Sequence, residues 1–129
     1  MKDELEYSIV RLENALSQLK SGCEKAQDEL EEDGVIQRFE FTFELFWKTL
    51  KVFLRKEGIE ARTPRDVFKE AFKLEWFDVE EIFLNMLEDR NKTSHIYDNK
   101  TSREIFERVK EYYVFAIEKV TIQLKSKIA

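Results

Sequence analysis

Five residues able to hold or react with a phosphate lie together in Arg90-Asn91-Lys92-Thr93-Ser94-His95-Ile96-Tyr97, and His95 is the single histidine of the 129-residue chain. Arginine is a planar, permanently charged fork that matches phosphate oxygens, and histidine carries a proton near neutral pH. A lysine, an amide and a phenol beside them complete the parts of a phosphate site. A plainer account uses the same residues as a helix end. Arg90 and Lys92 then face the last carbonyls, and Thr93, Ser94 and Asp98 form a turn. A lone histidine does not decide between the two.

Helical geometry sharpens the question. On a straight helix Arg90 and Tyr97 share a face, being about two turns apart. Arg90 and His95 stand roughly 140° apart, whereas Asn91 and His95 are neighbours one turn apart. Either Arg90 reaches around the helix or the helix ends inside the segment. Asn91 is placed to hold the imidazole or a phosphate oxygen.

The elements that must position this segment read as helices. Charged residues are 38% of the chain and aromatics 13%, with 3 Gly and 1 Pro, so charge alternates with bulky apolar groups and few positions break the chain. Leu5, Ile9, Leu12, Leu16 and Leu19 form one stripe over residues 3–20. Gly22 offers a stop, although the pattern permits continuation towards Leu30, and the acidic block 28–33 reads as a solvated helix end or loop. Val35, Ile36, Phe39, Phe43, Phe46, Trp47, Leu50, Phe53 and Leu54 form a broad stripe on a second helix, with Phe41, Leu45 and Val52 elsewhere on its wheel. A helix apolar nearly all round needs cover on nearly every side. In so short a chain this predicts a homodimer. Glu40, Glu44 and Lys48 fall at four-residue spacing on that helix, which by itself predicts intrahelical ion pairs.

Gly58 ends the second helix. Thr63 as N-cap, Pro64 at N1 and Asp66 at N3 open a short third one. Trp76 and Phe77 read as an anchored turn, and Asp78 with Glu81 as a capping pair for the helix that runs into Arg90. Thr101-Ser102-Arg103-Glu104 reads as a capping box for a last long helix carrying Ile105, Phe106, Val109, Tyr113, Ile117, Val120 and Leu124. No segment alternates with period two. The expected fold is therefore all-α, a single domain over 1–129. Three long and two shorter helices form an up-and-down antiparallel bundle with a four-helix core.

Composition narrows the function classes. Cys23, the one cysteine, has no partner for an internal disulfide and sits in a polar segment without metal-ligand neighbours. Residues 1–20 lack an apolar signal core, and no run is long enough to span a membrane, so a cytoplasmic location is expected. The Asn-x-Thr triplets at Asn91 and Asn99 are then chance matches to a glycosylation pattern. A formal net charge of −5 opposes broad coating of nucleic acid but leaves room for a small cationic cleft acting on one phosphodiester. Neither a metal nor another cofactor is expected, because the acids fall at salt-bridge spacing without a histidine companion.

Arg90-x4-His95-x-Tyr97, with a polar residue directly after the arginine, resembles the motif of the HEPN superfamily. Three segments in order, Ile36-Gln-Arg-Phe-Glu-Phe-Thr-Phe-Glu-Leu-Phe-Trp-Lys48, Thr63-Pro-Arg65 and Arg90 to Asp98, resemble the nucleotidyltransferase substrate-binding protein family within it, across essentially the whole chain. The resemblance implies a dimerising helical bundle that pairs with a minimal nucleotidyltransferase. It also implies kinship with metal-independent ribonucleases, several of them toxins whose nucleotidyltransferase partner is the antitoxin. By carry-over, Arg90 and His95 are the catalytic pair, with Arg90 and Lys92 holding phosphate or nucleotide. Asn91, Glu44 and Lys48 support them, and Tyr97 accepts AMP from the partner. The competing expectation is a non-catalytic subunit that binds a nucleotide or other substrate for that partner.

RNA cleavage by the neighbouring 2′-hydroxyl needs a base, an acid for the leaving 5′-oxygen and positive charge for the phosphorane. One chain brings one histidine. A symmetric dimer with the motif near its axis brings two histidines and two arginines to one cleft.

Overall fold

The computed structural model describes residues 2–95 and 98–128. Among them the regular structure is helical: α1 (Lys2–Lys25), α2 (Glu29–Lys56), α3 (Pro64–Lys73), α4 (Glu81–Lys92), a 3₁₀ turn (Thr93–His95), α5 (Asn99–Arg108), a π turn (Val109–Tyr113) and α6 (Val114–Ser126). The last three are continuous, so three long helical rods and two short helices make the bundle, as the periodicity predicts.

The long rods run up and down. Glu4 meets Arg55 and the carbonyl of Gln18 accepts from Arg38, which sets α1 antiparallel to α2. Lys20 meets Glu118 at 2.6 Å and Glu13 meets Lys125 at 3.1 Å, which sets α1 antiparallel to α6. Gly22 does not stop α1. A Cβ there would lie 3.1 Å from the Arg38 guanidinium and 3.2 Å from Val35, so glycine lets α2 pack close at this level. The break falls at Gln27 and Asp28 instead, where the Asp28 carboxylate accepts from the Glu31 amide at 2.8 Å as an N-cap. The acidic block is thus the first turn of α2, where carboxylates favour the positive end of the helix dipole.

α2 is the spine. Phe39, Phe43, Phe46, Leu50, Phe53 and Leu54 are buried on it. Phe46 packs against Phe68 of α3 and Phe83 of α4, and Phe77 stacks on Phe83 with ring centroids 3.8 Å apart. This aromatic layer explains the phenylalanine usage: flat rings fill the wedge between two short helices and a long one. Gly58 ends the α2 turn with φ 79°, a conformation that suits glycine.

Thr63 caps α3 as its spacing predicts, accepting from the Asp66 amide at 3.2 Å. Two other caps differ from the sequence reading. Asp78 does not cap α4. It pairs with Lys119, while Glu80 holds the N-cap position without a side-chain bond. Thr101 does not open the last helix either. Asp98 does, accepting from the Thr101 amide at 2.7 Å and from its hydroxyl at 3.1 Å. An aspartate three residues earlier starts the helix one turn sooner, so Thr101 stands at N3 and gives its amide to Asp98.

Candidate functional site

Three anchors fix the end of α4. Asp89 is buried, and its carboxylate accepts from both Nε (2.7 Å) and Nη2 (3.0 Å) of Arg108 and from the Tyr113 hydroxyl. The π turn places that tyrosine: the Val114 amide reaches the Val109 carbonyl, so one extra residue is fitted into the turn. Burial, then the bond to Asp89, raises the Tyr113 phenol well above its ordinary range. The guanidinium's own bonds to Asp89 raise the already high Arg108. The third anchor is Thr93, whose hydroxyl donates to the Arg90 carbonyl at 2.6 Å.

Arg90 therefore leaves α4 from a rigid base, and it points at α2. One terminal nitrogen lies 3.7 Å from Glu40 and the other 3.6 Å from Glu44, while its buried Nε has no hydrogen-bond partner among the described residues. Glu44 also accepts from the Trp47 indole at 3.2 Å and lies 3.8 Å from Lys48. Glu44 and Lys48 thus form the intrahelical pair that their spacing predicts, and Glu40 and Glu44 also lie against Arg90.

α4 ends at Lys92, and a 3₁₀ turn carries the chain through His95. The helix does end within the motif. Tightening the last turn leaves Arg90 and His95 on roughly opposite sides of the stretch of chain that joins them. His95 is exposed and lines an open cleft of about 490 Å³ together with Asn91, Lys92 and Arg65. Arg90 is not among the residues lining that cleft. The acids there have other duties: Glu88 lies 3.7 Å from Lys92, and Asp98 caps α5, a bond to the Thr101 amide that holds its carboxyl below the usual range. A smaller cleft of about 350 Å³ opens on the other flank, with Asp33, Glu40 and Thr93 in its walls.

The structure therefore brings His95, Asn91 and Lys92 together, and separately joins Arg90 to Glu44 with Lys48 beside it. It does not place the two groups in one cavity. Tyr97 lies outside the described residues. Sequence reasoning assigned no site role to Glu40, which was visible only as one of an evenly spaced trio. Nor did it assign one to Arg65, visible only as the end of Thr63-Pro-Arg. The Asp89–Arg108–Tyr113 anchor gave no signal, since nothing in sequence links an aspartate to a tyrosine twenty-four positions on.

Anion chemistry suits the His95 cleft. It offers two cations, an amide and an imidazole, each able to meet an oxygen, on a surface open to an extended ligand. No helix of the described residues is long and apolar enough to cross a membrane.

Comparison with known proteins agrees with the fold. A crystal structure from Thermus thermophilus superposes with a TM-score of 0.83 at 36% identity, covering 88% of this chain and 98% of that one. A Haemophilus influenzae structure, described as revealing the fold of a substrate binding domain of a nucleotidyltransferase, superposes with a TM-score of 0.70 at 21% identity, covering 97% and 99%. The probable ribonuclease HepT of Haemophilus influenzae is 27% identical over 86 residues, 63% of this chain, and the match spans 59% of that protein's length. The family model described as nucleotidyltransferase substrate binding protein like matches residues 3–126, and the chain belongs to that family.

Proposed function

We propose that this chain is the HEPN-type partner of a minimal nucleotidyltransferase and acts as a metal-independent endoribonuclease of a two-gene toxin–antitoxin pair. The observation that carries the reading is the single imidazole, exposed on a tight turn in a cleft shared with Lys92, Asn91 and Arg65. Similarity to a probable ribonuclease supports it.

In this reading His95 takes the proton of the 2′-hydroxyl as that oxygen attacks phosphorus. The bond from phosphorus to the 5′-oxygen breaks, and a protonated imidazole supplies the proton that oxygen needs. Cationic side chains meet the charge gathering on the phosphorane. A homodimer supplies the second imidazole. The outer face of α2 favours one: Phe41 is 56% exposed, and Leu45 and Val52 are only half covered beside it. Arg90 joins the reaction by leaving its carboxylates. Distances of 3.6 and 3.7 Å exceed the 2.7–2.9 Å or so of close charge-assisted bonds, so the grip is loose enough for a phosphate to compete. Tyr97 is the proposed acceptor of AMP. A nucleotide near the motif adds bulk and negative charge where a phosphate must sit.

The second reading is a non-catalytic subunit that presents a nucleotide or RNA to its partner. The turning of Arg90 towards Glu40 and Glu44, away from the His95 cleft, favours it. Purified chain incubated with RNA in EDTA separates the two. Cleavage that is lost in both Arg90→Ala and His95→Ala, with helical content unchanged, supports the ribonuclease. Tight RNA or nucleotide binding without cleavage supports the binding subunit.

A further inference from the structure

We propose that Arg65 is a second phosphate-holding cation of the His95 cleft, and that the cleft therefore selects an oligonucleotide with at least two phosphates over a mononucleotide. The inference rests on the phosphate-binding reading of the site and names the class of ligand it takes.

Three features of Arg65 point this way. It stands on α3, an element separate from the motif, yet lines the same cleft as His95 and Lys92. Its side chain is exposed and makes no ion pair or hydrogen bond with any described residue, whereas Arg90, Arg103 and Arg108 are all engaged by carboxylates. It also lies in the first turn of its helix, directly after Pro64 at N1, where the dipole disfavours a cation. A residue kept there at a small cost to its own helix, with no acid to satisfy it, is placed for an anion from outside.

The shape of the cleft sets the size of that anion. A volume of about 490 Å³ lies in the range of sites that hold whole small ligands rather than a single ion. Lys92 and His95 occupy one wall on the α4 side, and Arg65 enters from α3. A phosphate seated at His95 leaves the arginine fork for the neighbouring phosphate of the same strand. Glu88 and Asp98 also face the cleft, so a negative ligand is tolerated only where these cations meet it. A mononucleotide brings one phosphate to one cation. A strand of two or more uses both.

The single histidine makes the test direct, because its imidazole Hε1 proton NMR signal has no second histidine to be confused with. Two uncleavable probes are titrated: a 2′-O-methyl dinucleotide with a 5′-phosphate, and the same molecule without it. Wild type is expected to bind the two-phosphate probe about tenfold more tightly, the effect of one charge-assisted contact. Arg65→Ala should remove that preference and Arg65→Lys should restore part of it. The affinity of Arg65→Ala should also depend less steeply on salt, by about 0.7 in the log–log slope. Lys69→Ala, the same charge change on the same helix outside the cleft, should behave as wild type. Equal affinities for the two probes in wild type, or an Arg65→Ala variant no different from Lys69→Ala, overturns the proposal. RNA cleavage assayed in parallel keeps the two readings apart. Binding with the predicted preference but no cleavage removes the ribonuclease and leaves Arg65 in place. Cleavage without the preference does the reverse.

Discussion

Replacing Glu40 by glutamine should weaken the fold slightly and strengthen the site, and the opposite signs are the point. Glu40 lies 3.7 Å from Arg90, with the two side chains 32% and 23% exposed. Coulomb attraction at that distance is about 1 kcal/mol in water and about 4.5 kcal/mol at an effective dielectric of 20. Partial burial also costs both groups solvation, and pairs of this kind retain about 1 kcal/mol net. Glu44 remains to hold the guanidinium, so the arginine is loosened rather than orphaned. A loss of about 1 kcal/mol over 129 residues lowers the melting temperature by about 4 °C, given an unfolding entropy of roughly 2 cal/mol/K per residue. The same 1 kcal/mol no longer opposes transfer of Arg90 to a phosphate, which raises affinity for a 2′-O-methyl RNA about fivefold. Thermal unfolding and fluorescence anisotropy measure the two effects on one preparation. Unchanged or weaker RNA binding, with stability reduced by several kcal/mol, would show that the carboxylates serve only to build the fold and that Arg90 never leaves them.

Burial pushes the Cys23 thiol from 9.0 up to about 11, so the folded chain holds that proton more tightly than the unfolded one. Its contribution is fully present below pH 9 and is lost as pH rises towards 11, about 3 kcal/mol in all, and Cys23→Ala should flatten this slope in urea titrations at each pH. The raised Tyr113 phenol acts in the same direction above pH 10, and Tyr113→Phe should cost about 1.5 kcal/mol at pH 7 by taking a donor from buried Asp89. Phe41→Glu, on the exposed face of α2, should convert a dimer to a monomer in sedimentation at micromolar concentration without loss of helix; a wild-type monomer removes the two-imidazole cleft. Incubation with the cognate nucleotidyltransferase, ATP and magnesium should add mass in AMP units that Tyr97→Phe abolishes, and a stable complex without added mass would favour the binding-subunit role.

The helices were legible because their burial is periodic. Leu5, Ile9, Leu12, Leu16 and Leu19 recur on one face, and all five are buried on α1. Local caps were less secure. Thr63 had no rival, whereas Thr101 stood one turn after Asp98, and sequence does not rank two caps so spaced. The site was half visible. Residues close in sequence, Asn91, Lys92 and His95, read as a group and share a cleft. Arg90 read as their companion, but five helical positions set it roughly 140° from His95, and the 3₁₀ turn that follows α4 widens that angle instead of closing it. What joins Arg65 to His95, or Glu40 to Arg90, is the packing of separate helices, and that has no local signature. The π turn is also silent in sequence, since its residues keep an ordinary helical pattern while the turn sets Tyr113 against Asp89.

The reaction assigned to His95 is tested most directly by the chemical ends it leaves. A synthetic RNA cleaved by the purified chain in EDTA is weighed by mass spectrometry. The predicted products carry a 2′,3′-cyclic phosphate or 3′-phosphate upstream and a 5′-hydroxyl downstream, and none form with His95→Ala. A 3′-hydroxyl opposite a 5′-phosphate, or the same ends from the histidine variant, would contradict it.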